Sequence, residues 1–358
     1  MPTARSYRFD AQGRFLLIWR CLLAFLGTVL FYRLFAFALW GKHAGGDQGP
    51  LAIQASTVQK AGLTLALALL WWILANLRAA DLSGRLRNGW KAAAFIVLSG
   101  VLSTVGFLLL GKVGTMGGVV LSLTAGLLTS WICTRAEGNP FASIGYKMDG
   151  RWARELTLGT LGGAGIMMLT ALLTLGFGGF HWIRGTATLG VAAWGFLLYV
   201  LVGFNEETLF RGYLFQRLVK GMGEWPTQAL LAGLFAFAHW GNPGMHGATK
   251  AWASLNIALA AVLLGLCYLR TRCLALPIGV HLGWNWTQGN LLGFGVSGTT
   301  DTPGLFQPVF HGRPEWLTGG AFGLEASLPC ALVCLAAIIA LMLWKREANA
   351  VPSTALEA

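Results

Sequence analysis

Apolar stretches of about 17 to 25 residues, the length a helix needs to cross ~30 Å of hydrocarbon, recur along almost the whole chain, and nothing else in the sequence restricts its fold as strongly. They run approximately over Phe15–Trp40, Ala61–Leu77, Ala92–Gly111, Val113–Thr134, Leu156–Gly178, Leu189–Leu218, Thr227–Trp240, Trp252–Leu269, Leu274–Phe294 and Leu328–Trp344. The expected fold class is therefore all-α, a polytopic transmembrane helical bundle of about ten spans. The third and fourth runs are separated only by Gly111-Lys112, which reads as a tight hairpin or a re-entrant element. Composition agrees with this class: 55% of residues are hydrophobic and 11% charged, against roughly 25% charged in a soluble domain. Trp settles at membrane interfaces and Gly lets spans approach closely, so 16 Trp and 49 Gly fit as well.

The net charge of +12 does not point to nucleic acid, because the basic residues sit in short loops between apolar runs and form no continuous stripe. Topology explains them. With the N-terminus inside, the loops Arg78–Lys91 and Arg135–Arg154, the segment Arg217–Lys220, the turn Arg270–Arg272 and Lys345-Arg346 all face the cytoplasm, which supports N-in and C-in. The segment around Phe141–Tyr146 mixes apolar and basic residues and reads as an interfacial amphipathic stretch or a plain loop. Phe15–Trp40 is too long for a signal-peptide core and is expected to be an anchor helix. Cys21, Cys133, Cys267, Cys273, Cys330 and Cys334 lie in or at the ends of apolar runs without a CxxC pattern, so they read as buried apolar residues.

Ionisable groups are unevenly spread. The first five runs are mostly Leu, Ala, Gly, Val and Thr, whereas charged and imidazole groups concentrate between Glu206 and Asn285. An accessory N-terminal helical part (residues 1–140), a functional core (141–345) and a polar tail (346–358) are expected. Within the core, Asn205-Glu206-Glu207-Thr208-Leu209-Phe210-Arg211 places three charges inside an apolar run, where each costs roughly 3 kcal/mol on insertion scales. Glu207 and Arg211 are four apart and share a helix face, so an ion pair is expected between them. Glu206 points about 100° away and is left for chemistry, since burial without a cation of its own moves a carboxylate toward the general-base range. Solvated side chains at a helix end are the alternative, which Phe210, Tyr213, Leu214 and Phe215 beyond or beside Arg211 oppose.

Two further runs carry paired motifs, Phe235 with His239 and His281 with Asn285, again four apart. One intramembrane His is commonly a packing residue. A glutamate, two histidines and an asparagine on three separate apolar helices form a set able to hold and deprotonate water and to donate hydrogen bonds to an oxyanion, which is peptide-hydrolysis chemistry.

Glu-Glu-x-x-x-Arg at Glu206, Glu207 and Arg211, Phe-x-x-x-His at Phe235 and His239, and His-x-x-x-Asn at His281 and Asn285, in this order, resemble the CPBP (Abi) intramembrane proteases, relatives of the type II CAAX prenyl endopeptidase. The resemblance covers roughly Phe141–Trp344, and Ser143-Ile144-Gly145 and Leu317–Gly323 are similar to bacterial members. It implies that Glu206 and His239 activate the attacking water, that His281 and Asn285 stabilise the oxyanion, and that Glu207 and Arg211 shape the site. It also implies a membrane-tethered protein or peptide as substrate partner, a lipid bilayer as surroundings, and a multi-pass protein of a bacterial plasma membrane. No cofactor is expected, with zinc on Glu206, His239 and His281 as the alternative, because these form a His/His/Glu set although HExxH is absent.

Depth along the helices raises a difficulty. Glu206 lies about 25 Å of helix rise past the start of its run and His239 ~18 Å past the start of its own, so tilt, a break near Gly203 or an interfacial segment between Arg217 and Pro226 is needed to align them. His181, His246 and His311 fall at span ends or in loops and are expected to be solvated. Gly159 and Gly163 form a GxxxG pair suited to close helix packing. Buried Glu, His and Arg also build proton relays, so a proton- or ion-coupled transporter is the alternative function, and a non-catalytic scaffold a third.

Overall fold

The computed structural model of the protein describes residues 84–110, 113–299 and 303–344. The runs Phe15–Trp40 and Ala61–Leu77, Cys21, Gly111-Lys112 and the tail 346–358 lie outside the described residues. The described residues divide into two compact units, one of residues 84–143 together with Gly212–Thr227, the other of Ile144–Arg211 and the described residues from Gln228 to Trp344.

In the first unit, α1 (Gly84–Leu110) and α2 (Thr115–Ala136) follow the third and fourth apolar runs and pack on each other. Later in the chain, α5 (Tyr213–Met222) packs on α1, where Phe95 stacks on Tyr213 with ring centroids 5.6 Å apart. Glu137, at the end of α2, gathers the polar groups of this unit: Arg217 Nη2 at 2.8 Å, Lys91 Nζ at 3.3 Å and the Tyr213 hydroxyl.

The second unit holds α3 (Gly150–Gly176), β1 (Phe180–Arg184), α4 (Leu189–Arg211), α7 (Gly247–Thr271), α8 (Ala275–Trp286), β2 (Phe306–Phe310), the short α9 (Glu315–Thr318) and α10 (Leu328–Leu343). The remaining helix, α6 (Glu224–Ala238), begins four residues before this unit and ends within it. Asp149 starts α3 by accepting the Trp152 N–H at 3.0 Å, and this hydrogen bond holds its carboxyl below the ordinary carboxylate range. Ser327 starts α10 in the same way, accepting from Cys330 N at 3.2 Å, and Arg270 on α7 closes its far end by donating to Leu341 O at 2.8 Å and Met342 O at 2.9 Å. Phe141–Ile144, read as an interfacial stretch or a plain loop, is a tight helical turn with Ile144 and Tyr146 buried, Phe141 half-buried and Ala142 exposed.

Among the described residues, five helical stretches are long and apolar enough to cross a membrane: Arg87–Phe107, Thr115–Ala136, Gly150–Gly176, Leu189–Met222 and Gly247–Thr271. Leu328–Leu343 is apolar but shorter. The run Leu274–Phe294 departs from its expected length: α8 has 12 residues and passes into a wider turn over Thr287–Leu291. Residues Pro277 through Asn285 are all buried, which is the pattern of a core helix enclosed by protein, and such a helix need not match a bilayer's thickness. By contrast α3 exposes Leu158, Leu161, Leu169 and Leu172, and α10 exposes Leu332, Leu335 and Ile339, large apolar faces of the kind a bilayer covers.

The fold is mostly helical rather than wholly so. Strands β1 and β2 pair antiparallel with Phe180 opposite Phe310 and Arg184 opposite Phe306, in segments read as loop from the sequence. Short strands of five residues carry too little alternation to be seen against flanking apolar runs.

Candidate functional site

The Glu206–Arg211 motif occupies the last turns of α4, which is continuous through Gly203; the chain breaks instead at Gly212, and Gly223 then turns it at φ 92° into α6. Glu207 and Arg211 are fully buried and form the expected pair, Arg211 Nη1 to Glu207 Oε1 at 3.1 Å. Arg211 also donates from Nη2 to Ala261 O of α7 at 2.8 Å and lies over the Phe235 ring at 5.2 Å. A guanidinium satisfied by a carboxylate, a carbonyl and an aromatic face is what makes its burial tolerable. The Glu206 side chain, on the adjacent face, keeps 25% of its surface accessible against 0% for Glu207.

What sets His281 opposite these carboxylates is the contact between α8 and α3, the most extensive helix pair among the described residues. It is made of glycine on both sides. A Cβ added to Gly163 would lie 2.0 Å from Val280 O, and one added to Gly283 would lie 2.0 Å from Thr160 O; Gly159 and Gly279 meet in the same way one turn earlier. The GxxxG pair on α3 therefore packs closely, against a second pair on α8 that the sequence reading did not identify. His281 sits between Gly279 and Gly283 in sequence and presents its ring to α4. Its Nδ1 is 2.8 Å from Glu207 Oε1, and its Nε2 is 3.8 Å from Glu206 Oε2.

These contacts order a relay from Arg211 through Glu207 to His281 and on toward Glu206. Donation of Nδ1–H to Glu207 fixes which nitrogen of the ring faces the accessible carboxylate, the orienting arrangement by which a buried carboxylate directs a working imidazole. The Nε2 to Glu206 separation is longer than a hydrogen bond, so a water or carbonyl oxygen within reach of both would bridge them. Asn285, one turn along α8, is buried.

His239 is placed differently. It follows the last residue of α6, its Nδ1 lies 2.8 Å from Phe235 O, and its ring meets the Phe235 edge at 4.8 Å. The ion pairs of His281 are with Glu206 and Glu207, and His239 takes part in neither. A buried acid that no motif pointed to, Glu325, is tied to the His239 turn through Ser297 and Asn242. Glu325 is buried just before α10, accepts the Ser297 N–H and a hydrogen bond from Trp284, and burial holds its carboxyl above the ordinary range. Its sequence signal is a single acid between Leu324 and Ala326 at the threshold of an apolar run.

Among the described residues no three His, Cys, Asp or Glu side chains come together as a metal-holding group. With Nδ1 held by Glu207, His281 keeps Nε2 as the nitrogen turned toward Glu206, and His239 Nδ1 is held by Phe235 O in the same way. The other histidines are outside the site. His181 and His311 are exposed as expected, yet they meet at 2.7 Å across the strand pair. Cys133, Cys267, Cys330 and Cys334 are buried free thiols, and burial pushes the Cys273 thiol, in the turn after α7, up to about 12, so it is no nucleophile at neutral pH.

Residues 188–287 match the family model described as type II CAAX prenyl endopeptidase Rce1-like, the family to which the three motifs point. The match spans α4 through α8 and contains every candidate residue named from the motifs. No curated protein and no solved structure matches.

Proposed function

We propose that this protein is an intramembrane CAAX-type endopeptidase that hydrolyses a peptide bond of a membrane-tethered protein or peptide. The observation that carries the reading is the pairing of the accessible Glu206 with a His281 whose other nitrogen is anchored by the buried Glu207 and Arg211. The Rce1-like match over this segment supports a protease of CAAX type acting on membrane-associated substrate.

In the proposed reaction Glu206 takes a proton from water while the water oxygen attacks the scissile carbonyl carbon. Negative charge develops on the carbonyl oxygen, and the donors assigned to it are the Asn285 amide and the Nε2–H of a His281 that carries both ring protons, its Nδ1–H being given to Glu207. The C–N bond then breaks, Glu206 returns its proton to the leaving nitrogen, and the products are a carboxylate and an amine. His239 assists at the water. The reaction as drawn needs no metal. The wider setting belongs to the same proposal: a helical membrane bundle of about ten spans, N-in and C-in, in a bacterial plasma membrane, with residues 1–140 accessory to a 141–345 core.

The test compares the termini of membrane proteins in cells carrying wild type and cells carrying Glu206→Ala at matched expression. A new terminus present with wild type and lost with Glu206→Ala and His239→Ala supports proteolysis and names the substrate. Identical termini alongside a phenotype that persists only with wild type would sink the protease reading in favour of a transporter or scaffold.

A further inference from the structure

The turn that carries His239 is fastened at several points to the segment that carries Glu325. Asn242 N donates to His239 O at 3.0 Å, while the Asn242 side chain donates to Ser297 O at 2.9 Å. The same Ser297 gives its N–H to Glu325, so one peptide unit after another links His239, Asn242, Ser297 and Glu325. Ser297 holds φ 49°, a left-handed conformation unusual outside glycine, and the next residue, Gly298, donates to Phe322 O at 2.9 Å. Gly298 is confined as well, since a Cβ there would lie 2.0 Å from Pro243 O. Beneath this clasp Phe235, Phe322 and Ala326 share one buried apolar cluster, and Phe235 is the residue whose ring and carbonyl hold the His239 imidazole. On its other side Glu325 is hydrogen-bonded by Trp284, whose only donor is the indole N–H and which lies in α8 between His281 and Asn285.

A carboxyl group is costly to bury unless its oxygens are hydrogen-bonded, and the donors that meet Glu325 come from the two segments flanking the site, Ser297 and Trp284. We propose that Glu325 is a positioning residue of the site: its carboxyl group joins the His239 turn to the α8 turn carrying His281 and Asn285. This rests on the protease reading for its functional meaning, and on the contacts above for its geometry.

The experiment uses the full chain in phosphatidylethanolamine/phosphatidylglycerol liposomes with a farnesylated CAAX-type peptide as probe, alongside NMR of protein labelled at histidine Cε1. Glu325→Gln keeps the side-chain size but replaces one of the two oxygens facing the Ser297 N–H and the Trp284 indole with an NH2 donor. It is expected to lower kcat on the order of 10- to 100-fold with KM within about twofold, and to shift the His239 resonance while leaving that of His281 in place. Asn242→Ala, a partly exposed position, cuts the clasp without touching the carboxyl group and is expected to lower kcat in the same direction. Wild-type kcat and an unmoved His239 signal in Glu325→Gln would overturn the proposal, as would loss confined to KM. If wild type does not cleave the probe but the His239 resonance still shifts with Glu325→Gln, the contact stands and it is the CAAX-type protease reading that falls.

Discussion

Glu207 Oε1 accepts from His281 Nδ1 at 2.8 Å and from Arg211 Nη1 at 3.1 Å, so one buried oxygen holds together the three ionisable groups behind the site. Its neighbour in sequence, Glu206, is directed to the accessible side of the same imidazole. Two adjacent carboxylates thereby differ in surroundings, one enclosed and the other a quarter exposed, because successive residues of a helix point about 100° apart.

This division makes the two carboxylates separable by mutation. Glu207→Ala strips the partner from a buried guanidinium and frees His281 to rotate, and breaking a buried pair in this way costs about 3–5 kcal/mol. Thermal unfolding in detergent is expected to show a marked loss of stability for Glu207→Ala, together with loss of hydrolysis. A melting curve matching wild type would contradict the role of Glu207 as anchor.

Glu206→Gln behaves in the opposite way. The side chain is a quarter exposed and makes no short ion pair, so the amide is expected to fold with stability within about 1 kcal/mol of wild type. Hydrolysis is expected to fall by ~10²–10⁴, the contribution of a general base, with peptide binding retained. Retention of turnover in Glu206→Gln would move the base elsewhere.

How far the sequence disclosed this arrangement follows from the range of each contact. The Glu207–Arg211 pair and the divergence of Glu206 were legible, since both follow from the geometry of one helix. So was the close packing at Gly159 and Gly163, although its partner pair on α8 was not, because GxxxG names a helix that can be approached and not the one that approaches it. Glu207's second partner was hidden for the same reason: His281 is 74 positions away. Glu325 was further out of reach, tied to the site through a left-handed Ser297 and an indole that no pattern links to it. Of the alternatives of tilt, a break near Gly203 and an interfacial segment, the break is not at Gly203: α4 runs through it and ends at Arg211, and the next helix starts after Gly212. Apolar run lengths also overstate spans wherever a helix is walled by protein, as α8 is.

The donor arrangement leads to a prediction about metals. Since no three ligand side chains come together among the described residues and a general base at Glu206 needs no ion, hydrolysis of a membrane-tethered peptide is expected to persist at full rate after incubation with EDTA or 1,10-phenanthroline. Loss of activity on chelation, restored by added zinc, would show that the side chains regroup around an ion in the working enzyme.

Adjacent glycines on α3 provide the sharpest test of the packing that presents His281. Gly163 meets Val280 O and Trp284 N of α8 at distances no Cβ tolerates, whereas Gly162, one residue before, has nothing within 4 Å of the position a Cβ would take. Gly163→Ala therefore forces α3 and α8 apart, at a cost of about 1–3 kcal/mol for an overpacked contact, and displaces His281 from Glu207. Gly162→Ala gains helix propensity worth about 1 kcal/mol and meets no obstacle. Unfolding and hydrolysis measured on the pair are expected to part in opposite directions, Gly163→Ala less stable and slower, Gly162→Ala at least as stable as wild type and equally active. Equal effects from the two substitutions would mean that the α3–α8 contact does not set the position of the imidazole.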